Sequence, residues 1–257
     1  MVRPKKKLGQ HFLKDLDIAK KIVEALELNN PVDAVVEIGP GTGVLTQYLM
    51  QKKNIDLQVI EIDRESVAYL KKHLPPLEGR IREDDVLKLD WNELSKEKFS
   101  VIGNFPYNIS SQILFKVLAH RNKVEQVVCM LQKEVAERIA SREGSKVYGI
   151  LSVLLQAFYD IEFLFKVPPG VFFPPPKVTS AVIRLKRNAV AKLSCNELTF
   201  RTVVKEGFQN RRKTLRNALK RLNLPAAILS MKLLDKRAEQ LSVQDFIFLT
   251  NTIDRIR

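Results

Sequence analysis

The sequence predicts an α/β protein with a mostly parallel sheet and an antiparallel edge, followed by a small all-helical domain. Three observations carry this. From residue 34 onward, short apolar runs alternate with stretches of helical spacing, the pattern of strand–helix units that bury a parallel sheet between helices. Two strand-like runs, 161–167 and 178–186, then follow with no helix between them, so they are free to pair antiparallel. Beyond residue 187 only helical spacing remains.

Taken in order, residues 16–28 carry Ile18, Ile22, Val23, Leu26 and Leu28 as a helical stripe, and Pro31 ends it. Residues 34–38 form a short apolar run that breaks into Gly39-Pro40-Gly41-Thr42-Gly43, after which 44–49 resume helical spacing. Strand, glycine turn and helix open a βαβ unit. Residues 57–63 read as the next strand, with acids at its end; a helix over 66–74 stops at Pro75-Pro76, and 79–86 again set carboxylates after a strand-like segment. Residues 99–102 end a buried strand, 103–111 turn, and 112–118 are helical. A strand over 126–131, a charged helix over 133–141 and an apolar helix over 148–158 complete the alternation. A polar stretch over 187–196 separates domains expected at 1–187 and 188–257, and helices are expected at 198–209, 212–222, 225–229 and 243–253.

Composition narrows the partners. There are 43 Lys and Arg against 29 Asp and Glu, a net charge of +14. Such a balance favours a polyanion, nucleic acid before an anionic membrane surface. No apolar run approaches the ~18 residues of a spanning helix. The N-terminal Arg3, Lys5, Lys6 and Lys7 lead into Leu8-Gly9-Gln10-His11 rather than an apolar core, which is not a secretory signal. Two cysteines, Cys129 and Cys195, make no disulfide framework, and Cys129 sits in an apolar run that suits a buried thiol. Three dispersed histidines without Cys-x-x-Cys give no metal spacing. A reducing cytoplasm and no metal are expected.

Two turns carry the chemistry. Gly103-Asn104-Phe105-Pro106-Tyr107-Asn108-Ile109-Ser110-Ser111 stands where a strand hands over to a helix, which is where open α/β sheets bind ligands. Asn offers an amide oxygen and an amide NH2, Pro a carbonyl without an N–H, and Tyr a flat face. Together they suit a planar amine on an aromatic ring; a plain Pro-containing connection is the other reading. The second turn, Glu37-Ile38-Gly39-Pro40-Gly41-Thr42-Gly43, departs from G-x-G-x-x-G because position 44 is Val, and it lacks the Gly-Lys-Ser/Thr of a phosphate loop. Glu61, 22 residues past Gly39, suits two ribose hydroxyls. No basic cluster is present to neutralise a pyrophosphate, so a nucleoside bearing a zwitterionic amino acid fits better. Asp63 and Asp84 read as solvated or capping groups.

Five motifs in order then resemble one family. Leu8-Gly9-Gln10-His11-Phe12-Leu13, Glu37 to Gly43, Asn104-Phe105-Pro106-Tyr107-Asn108-Ile109-Ser110, Gln132-Lys133-Glu134-Val135-Ala136-Glu137-Arg138, and Phe172-Phe173-Pro174-Pro175-Pro176-Lys177-Val178-Thr179-Ser180-Ala181-Val182 look like those of the rRNA adenine N6-dimethyltransferases. These are class I S-adenosylmethionine-dependent methyltransferases with a Rossmann-like sheet, and the resemblance covers nearly the whole chain. Phe105 departs from the family's usual aliphatic residue. The resemblance implies S-adenosylmethionine as methyl donor, held by His11, Leu13, Gly39, Glu61, Asp85 and Asn104. It implies that Asn104 and the Pro106 carbonyl accept from the target amine, and that Tyr107 and Phe172 sandwich the target base, with at least one of Phe172 and Phe173 packing in the core.

Because the target must leave its stack, Arg211, Arg212, Lys213, Arg216 and Lys220 are expected to hold RNA backbone, with Arg212, Arg216 and Lys220 on one helical face. The implied substrate is two adjacent adenosines in the loop near the 3′ end of small-subunit rRNA, and the implied partner is the assembling small ribosomal subunit, met by a monomer. Two rivals stand: a large-subunit rRNA adenine methyltransferase of the macrolide-resistance type, and a non-catalytic RNA-binding assembly factor.

Overall fold

The computed structural model describes residues 2–29 and 33–256; Pro31 lies outside them. Among the described residues the strands are β1 (Phe12–Leu13), β2 (Asp33–Ile38), β3 (Ile55–Glu61), β4 (Ile81–Glu83), β5 (Phe99–Asn104), β6 (Val124–Gln132), β7 (Tyr159–Val167), β8 (Phe172–Phe173) and β9 (Ser180–Arg187). The helices are α1 (Leu16–Glu24), α2 (Thr46–Leu49), α3 (Arg64–His73), α4 (Ser110–Ala119), α5 (Lys133–Ala140), α6 (Ile150–Gln156), α7 (Glu197–Gln209), α8 (Leu215–Ala218), α9 (Ala226–Leu229) and α10 (Val243–Ile256).

Seven strands form one sheet in the order β4-β3-β2-β5-β6-β9-β7, and β1 pairs with β8 in a separate two-stranded ribbon. The pairs β3–β4, β2–β3, β2–β5 and β5–β6 are parallel, whereas β9 runs antiparallel to β6. Counted along the sheet-forming strands, the order is that of a doubly wound dinucleotide fold except that the last strand is inserted before the sixth. Strand order reverses between β2 and β5, so the carboxyl ends of these two strands leave a crevice.

The apolar runs of β2, β3, β5 and β6 are buried on both faces, as parallel strands require. Ala19, Ile22 and Val23 of α1 and Leu70 of α3 belong to the same core as Val35, Leu57, Val59, Ile102 and Val128. Local chemistry sets the helix starts. The Asp15 side chain accepts from Ile18 N–H at 3.0 Å, and the Asp63 side chain accepts from Glu65 N–H at 3.1 Å, both N-caps of the expected kind.

Gly103 sits at the reversal. A Cβ there would lie 2.4 Å from the Ile38 carbonyl oxygen and 3.2 Å from the Phe105 ring. The first contact is backbone on the neighbouring strand and cannot yield cheaply. Gly103→Ala is therefore expected to cost about 1–3 kcal/mol of stability, read as a lower urea midpoint; an unshifted midpoint would contradict this packing.

The chain forms two compact units, Met1–Ala136 with Ile161–Arg187, and Glu137–Asp160 with Asn188–Arg257. The sequence placed 137–160 with the first domain, but α6 packs against α7 and α10, so the helical unit draws on two stretches of chain. Its interior includes Phe200, Val203, Phe246 and Leu249, and Phe208 contacts both Tyr148 and Phe246, with ring centroids 6.1 and 6.0 Å apart. The helix expected over 212–222 is broken: α8 spans only Leu215–Ala218, a 3-10 turn follows at Lys220–Leu222, and Thr214 bridges to Arg237.

Candidate active site

The crevice at the strand reversal is a cavity of about 190 Å³ at the carboxyl ends of β2, β3 and β5. Its walls include Gly39 and Gly41 after β2, Glu61 at the end of β3, Asp85 after β4, and Asn104, Pro106 and Tyr107 at and after β5. His11 also lines it, from the N-terminal segment. Leu13 lines a smaller recess that shares Gly39 and Asn104. Residues far apart in sequence thus meet in one place.

Glu61 is 5 % exposed. One of its oxygens accepts from Gly41 N–H at 3.0 Å and the other from Asp63 N–H at 2.9 Å. A carboxylate has about four acceptor positions, so those that the backbone N–H groups leave are available to ribose hydroxyls. Burial raises the Glu61 pKa while these backbone N–H groups oppose the shift. Ile62, which follows it, lines the cavity and is 49 % exposed, an apolar neighbour for a nucleoside ring. One oxygen of the Asp85 side chain accepts from Leu87 N–H at 3.0 Å; the other faces the exposed Lys88 ammonium at 4.0 Å, beyond hydrogen-bond reach, and can still accept from an exocyclic amine.

Glu37 lies beneath the glycine turn and accepts from Thr46 Oγ1 at 2.7 Å. Burial pushes its carboxyl up to about 8, with the nearby Glu61 adding to the shift and the Thr46 bond opposing it. The folded state therefore keeps a proton that the unfolded chain releases near pH 4.5. This group favours folding fully at low pH, and stability falls as pH rises from there to about 8, by at most about 1.4 kcal/mol per pH unit. In Glu37→Gln that fall should vanish, so denaturant melts at about pH 5 and 8 should show the variant gaining on wild type. Parallel curves would contradict the shift.

The Asn104 side chain donates from Nδ2 to the His11 carbonyl at 2.9 Å. That bond commits the amide nitrogen and leaves Oδ1 as an acceptor at the cavity wall. The Pro106 carbonyl accepts from Ile109 N–H at 3.1 Å, which leaves one lone pair. The Tyr107 hydroxyl meets Ser180 Oγ at 2.5 Å, and its ring stacks on His11 with centroids 5.4 Å apart. Burial raises the Tyr107 phenol above its ordinary value, against the Ser180 bond, so it offers a ring face rather than a base. Phe105, the departure from the family pattern, is fully buried and packs against Gly103.

Two expectations need correction. Phe172 does not offer a stacking face: it is 1 % exposed and belongs to the core cluster that contains Leu13 and Val182. In the ribbon, Leu13 opposes Phe172 and Phe12 opposes Phe173. Successive strand side chains face opposite ways, so Phe172 points inward and Phe173, 51 % exposed, points outward. Nor do Arg212, Arg216 and Lys220 share a helical face, because Arg212 precedes α8 and Lys220 follows it. Arg211 pairs with Glu239 at 2.7 Å and donates to the Tyr148 carbonyl, and Arg216 pairs with Asp235 at 2.6 Å. Arg212, Lys213 and Lys220 are exposed.

Sequence reasoning missed the role of the N-terminal segment around Lys5 and Gln10, both bonded to Asp63. Their residue types carry no local signal for a contact so distant in sequence. Among the described residues no group of three or more His, Cys, Asp or Glu could hold a metal ion.

A sheet with this insertion, a glycine turn at the reversal and a buried carboxylate at the next strand's end define a class I S-adenosylmethionine-dependent methyltransferase. The family model for ribosomal RNA adenine dimethylase matches residues 1–255. The ribosomal RNA small subunit methyltransferase A of Cytophaga hutchinsonii is 56% identical over 252 residues, 98% of each chain. That of Parabacteroides distasonis is 54% identical, over 97% of this chain and 94% of its own length. Among solved structures, a dimethyladenosine transferase from Plasmodium falciparum superposes with a TM-score of 0.81 at 28% identity, covering 95% of this chain and 98% of the other. The 23S rRNA methyltransferase ErmE gives 0.69 at 26%, covering 93% and 99%. This chain belongs to the ribosomal RNA adenine dimethylase family.

Proposed function

We propose that this chain dimethylates N6 of two adjacent adenosines in the loop near the 3′ end of small-subunit rRNA. The observation that carries the chemistry is the Asn104 side chain, whose amide nitrogen is committed to the His11 carbonyl and whose oxygen is left as an acceptor. The choice of small-subunit RNA is supported by the 54–56% identity to small-subunit methyltransferases over nearly the full chain, against 26% to the 23S enzyme.

S-adenosylmethionine supplies an electrophilic methyl group on a sulfonium. Glu61 would hold the ribose hydroxyls, Asp85 would take the adenine amine, and His11, Leu13 and Gly39 would border the methionine end. The target amine is a poor nucleophile because its lone pair is delocalised into the ring. In the first transfer Asn104 Oδ1 and the remaining Pro106 lone pair accept its two N–H groups, and in the second the one N–H that is left, which favours a pyramidal nitrogen with its lone pair toward the methyl. Tyr107 stacks on the extruded base and offsets part of its lost stacking. Transfer then relies on proximity and orientation: the N–C bond would form as the S–C bond breaks, S-adenosylhomocysteine would leave, and the alkylated nitrogen, now acidic, would lose its proton to water. Arg211, Arg212, Lys213, Arg216 and Lys220 contribute positive charge toward RNA backbone; Arg212, Lys213 and Lys220 are the most available for direct contact. A cytoplasmic monomer acting on assembling small subunits fits this reading.

Labelled donor supplied with unmethylated small-subunit particles and, separately, with large-subunit RNA tests the assignment. Label in the small-subunit RNA is expected. Label in large-subunit RNA alone would overturn it, and donor binding without transfer to either would favour a non-catalytic assembly role.

A further inference from the structure

We propose that Asp63 is a positioning residue for methyl transfer: it clamps residues 5–11 beside the donor cleft, and that segment in turn holds the Asn104 carboxamide. The inference rests on the cleft being the donor site.

Asp63 is 2 % exposed, and a buried carboxylate is unfavourable unless paired and hydrogen-bonded. Capping α3 uses a single bond, from Glu65 N–H to Oδ1. The remaining partners come from the N-terminal segment. Lys5 Nζ bonds to Oδ1, and Gln10 Nε2 donates to Oδ2 at 3.0 Å. Gln10 Oε1 accepts from Lys5 N–H at 2.8 Å, and Lys5 Nζ also meets Glu65 at 3.1 Å. The segment is thereby closed on itself as well as fastened to the protein. Its connection to the site runs both ways from Asp63. The Asp63 N–H donates to Glu61 at 2.9 Å, and the residue after Gln10 is His11, whose carbonyl orients Asn104. Between them, Leu8, Gly9 and Gln10 form part of the cavity wall. Gly9 passes so near the catalytic turn that a Cβ would lie 2.6 Å from Asn108 Oδ1, and its φ is +63°. Lys5, half-buried, is spent on this pairing, and the donor and acceptor ends of the site share one support.

The test variant is Asp63→Asn. Asn caps a helix as well as Asp, so α3 keeps its start, but its amide nitrogen cannot accept from Gln10 and its neutral oxygen no longer holds the Lys5 charge. Gln10→Ala severs the clamp from the other side without touching α3. In both, calorimetric affinity for S-adenosylhomocysteine is expected to fall about tenfold, kcat to fall as well, and trypsin to cut at Lys5–Lys7 faster, with the urea midpoint of Asp63→Asn little changed. Affinity and kcat within twofold of wild type in both variants would overturn the clamp, as would a lowered midpoint with unaltered affinity. Glu61→Ala in the same titration separates the premises. If it loses affinity while the clamp variants do not, only the clamp fails; if it binds as wild type, the donor-site reading fails and the clamp with it.

Discussion

Asn104→Ala is expected to lower kcat by about 10²- to 10³-fold, the range seen when one preorganised polar contact to a reacting group is removed. The oxygen lost is the one turned toward the cavity by the Nδ2 bond to His11. Without it the target amine keeps one acceptor, the Pro106 carbonyl, which already serves Ile109. Folding should survive, because Asn104 ends β5 and its backbone pairing to Met130 does not involve the side chain. Asn104→Asp sharpens the test, since it keeps an acceptor but faces the His11 carbonyl with a second oxygen. It should also be slow, and for a different reason: the bond that orients the group is gone. Near-normal turnover in the Ala variant, with native unfolding behaviour, would contradict the assignment.

The second large effect is expected at Glu61. Glu61→Ala removes the acceptor for Gly41 N–H and Asp63 N–H, both held within 3.0 Å, and each buried N–H left unpaired costs about 1–3 kcal/mol. It also removes the acceptor assigned to the ribose. Donor affinity should fall by about 100-fold or more, and stability should fall with it. Glu61→Gln retains the shape and one oxygen, so it should be milder in stability while still weakening the donor. Calorimetric titration with S-adenosylhomocysteine alongside urea unfolding separates the two losses.

Much of this was legible from residue patterns. The strands of the parallel sheet are apolar-rich because both faces are buried, and the glycine turn after β2 and the acids at strand ends stand where open α/β sheets bind ligands. What the pattern could not carry depends on register and on distant pairing. Two-residue β1 and β8 have no period to detect, and only their pairing decides that Phe172 rather than Phe173 faces the core. The run from Arg212 to Leu222 has helical spacing, yet Thr214 bridges to Arg237 and Leu215 N–H bonds to the Lys236 carbonyl, so the helix cannot begin before Leu215. Asp63 looked like a simple cap, which it is. Its other partners lie 58 and 53 residues away, beyond the reach of any local signal. Residues 137–160 likewise join the helical unit through packing rather than sequence proximity.

The central claim is that the turn after β5 holds an adenine amine for methylation. Its most direct test is nucleoside mass spectrometry of small-subunit rRNA after incubation with enzyme and S-adenosylmethionine. The account predicts N6,N6-dimethyladenosine at two adjacent positions, greatly reduced with Asn104→Ala. Methylation at a ribose oxygen or a ring nitrogen, or undiminished product from that variant, would contradict it.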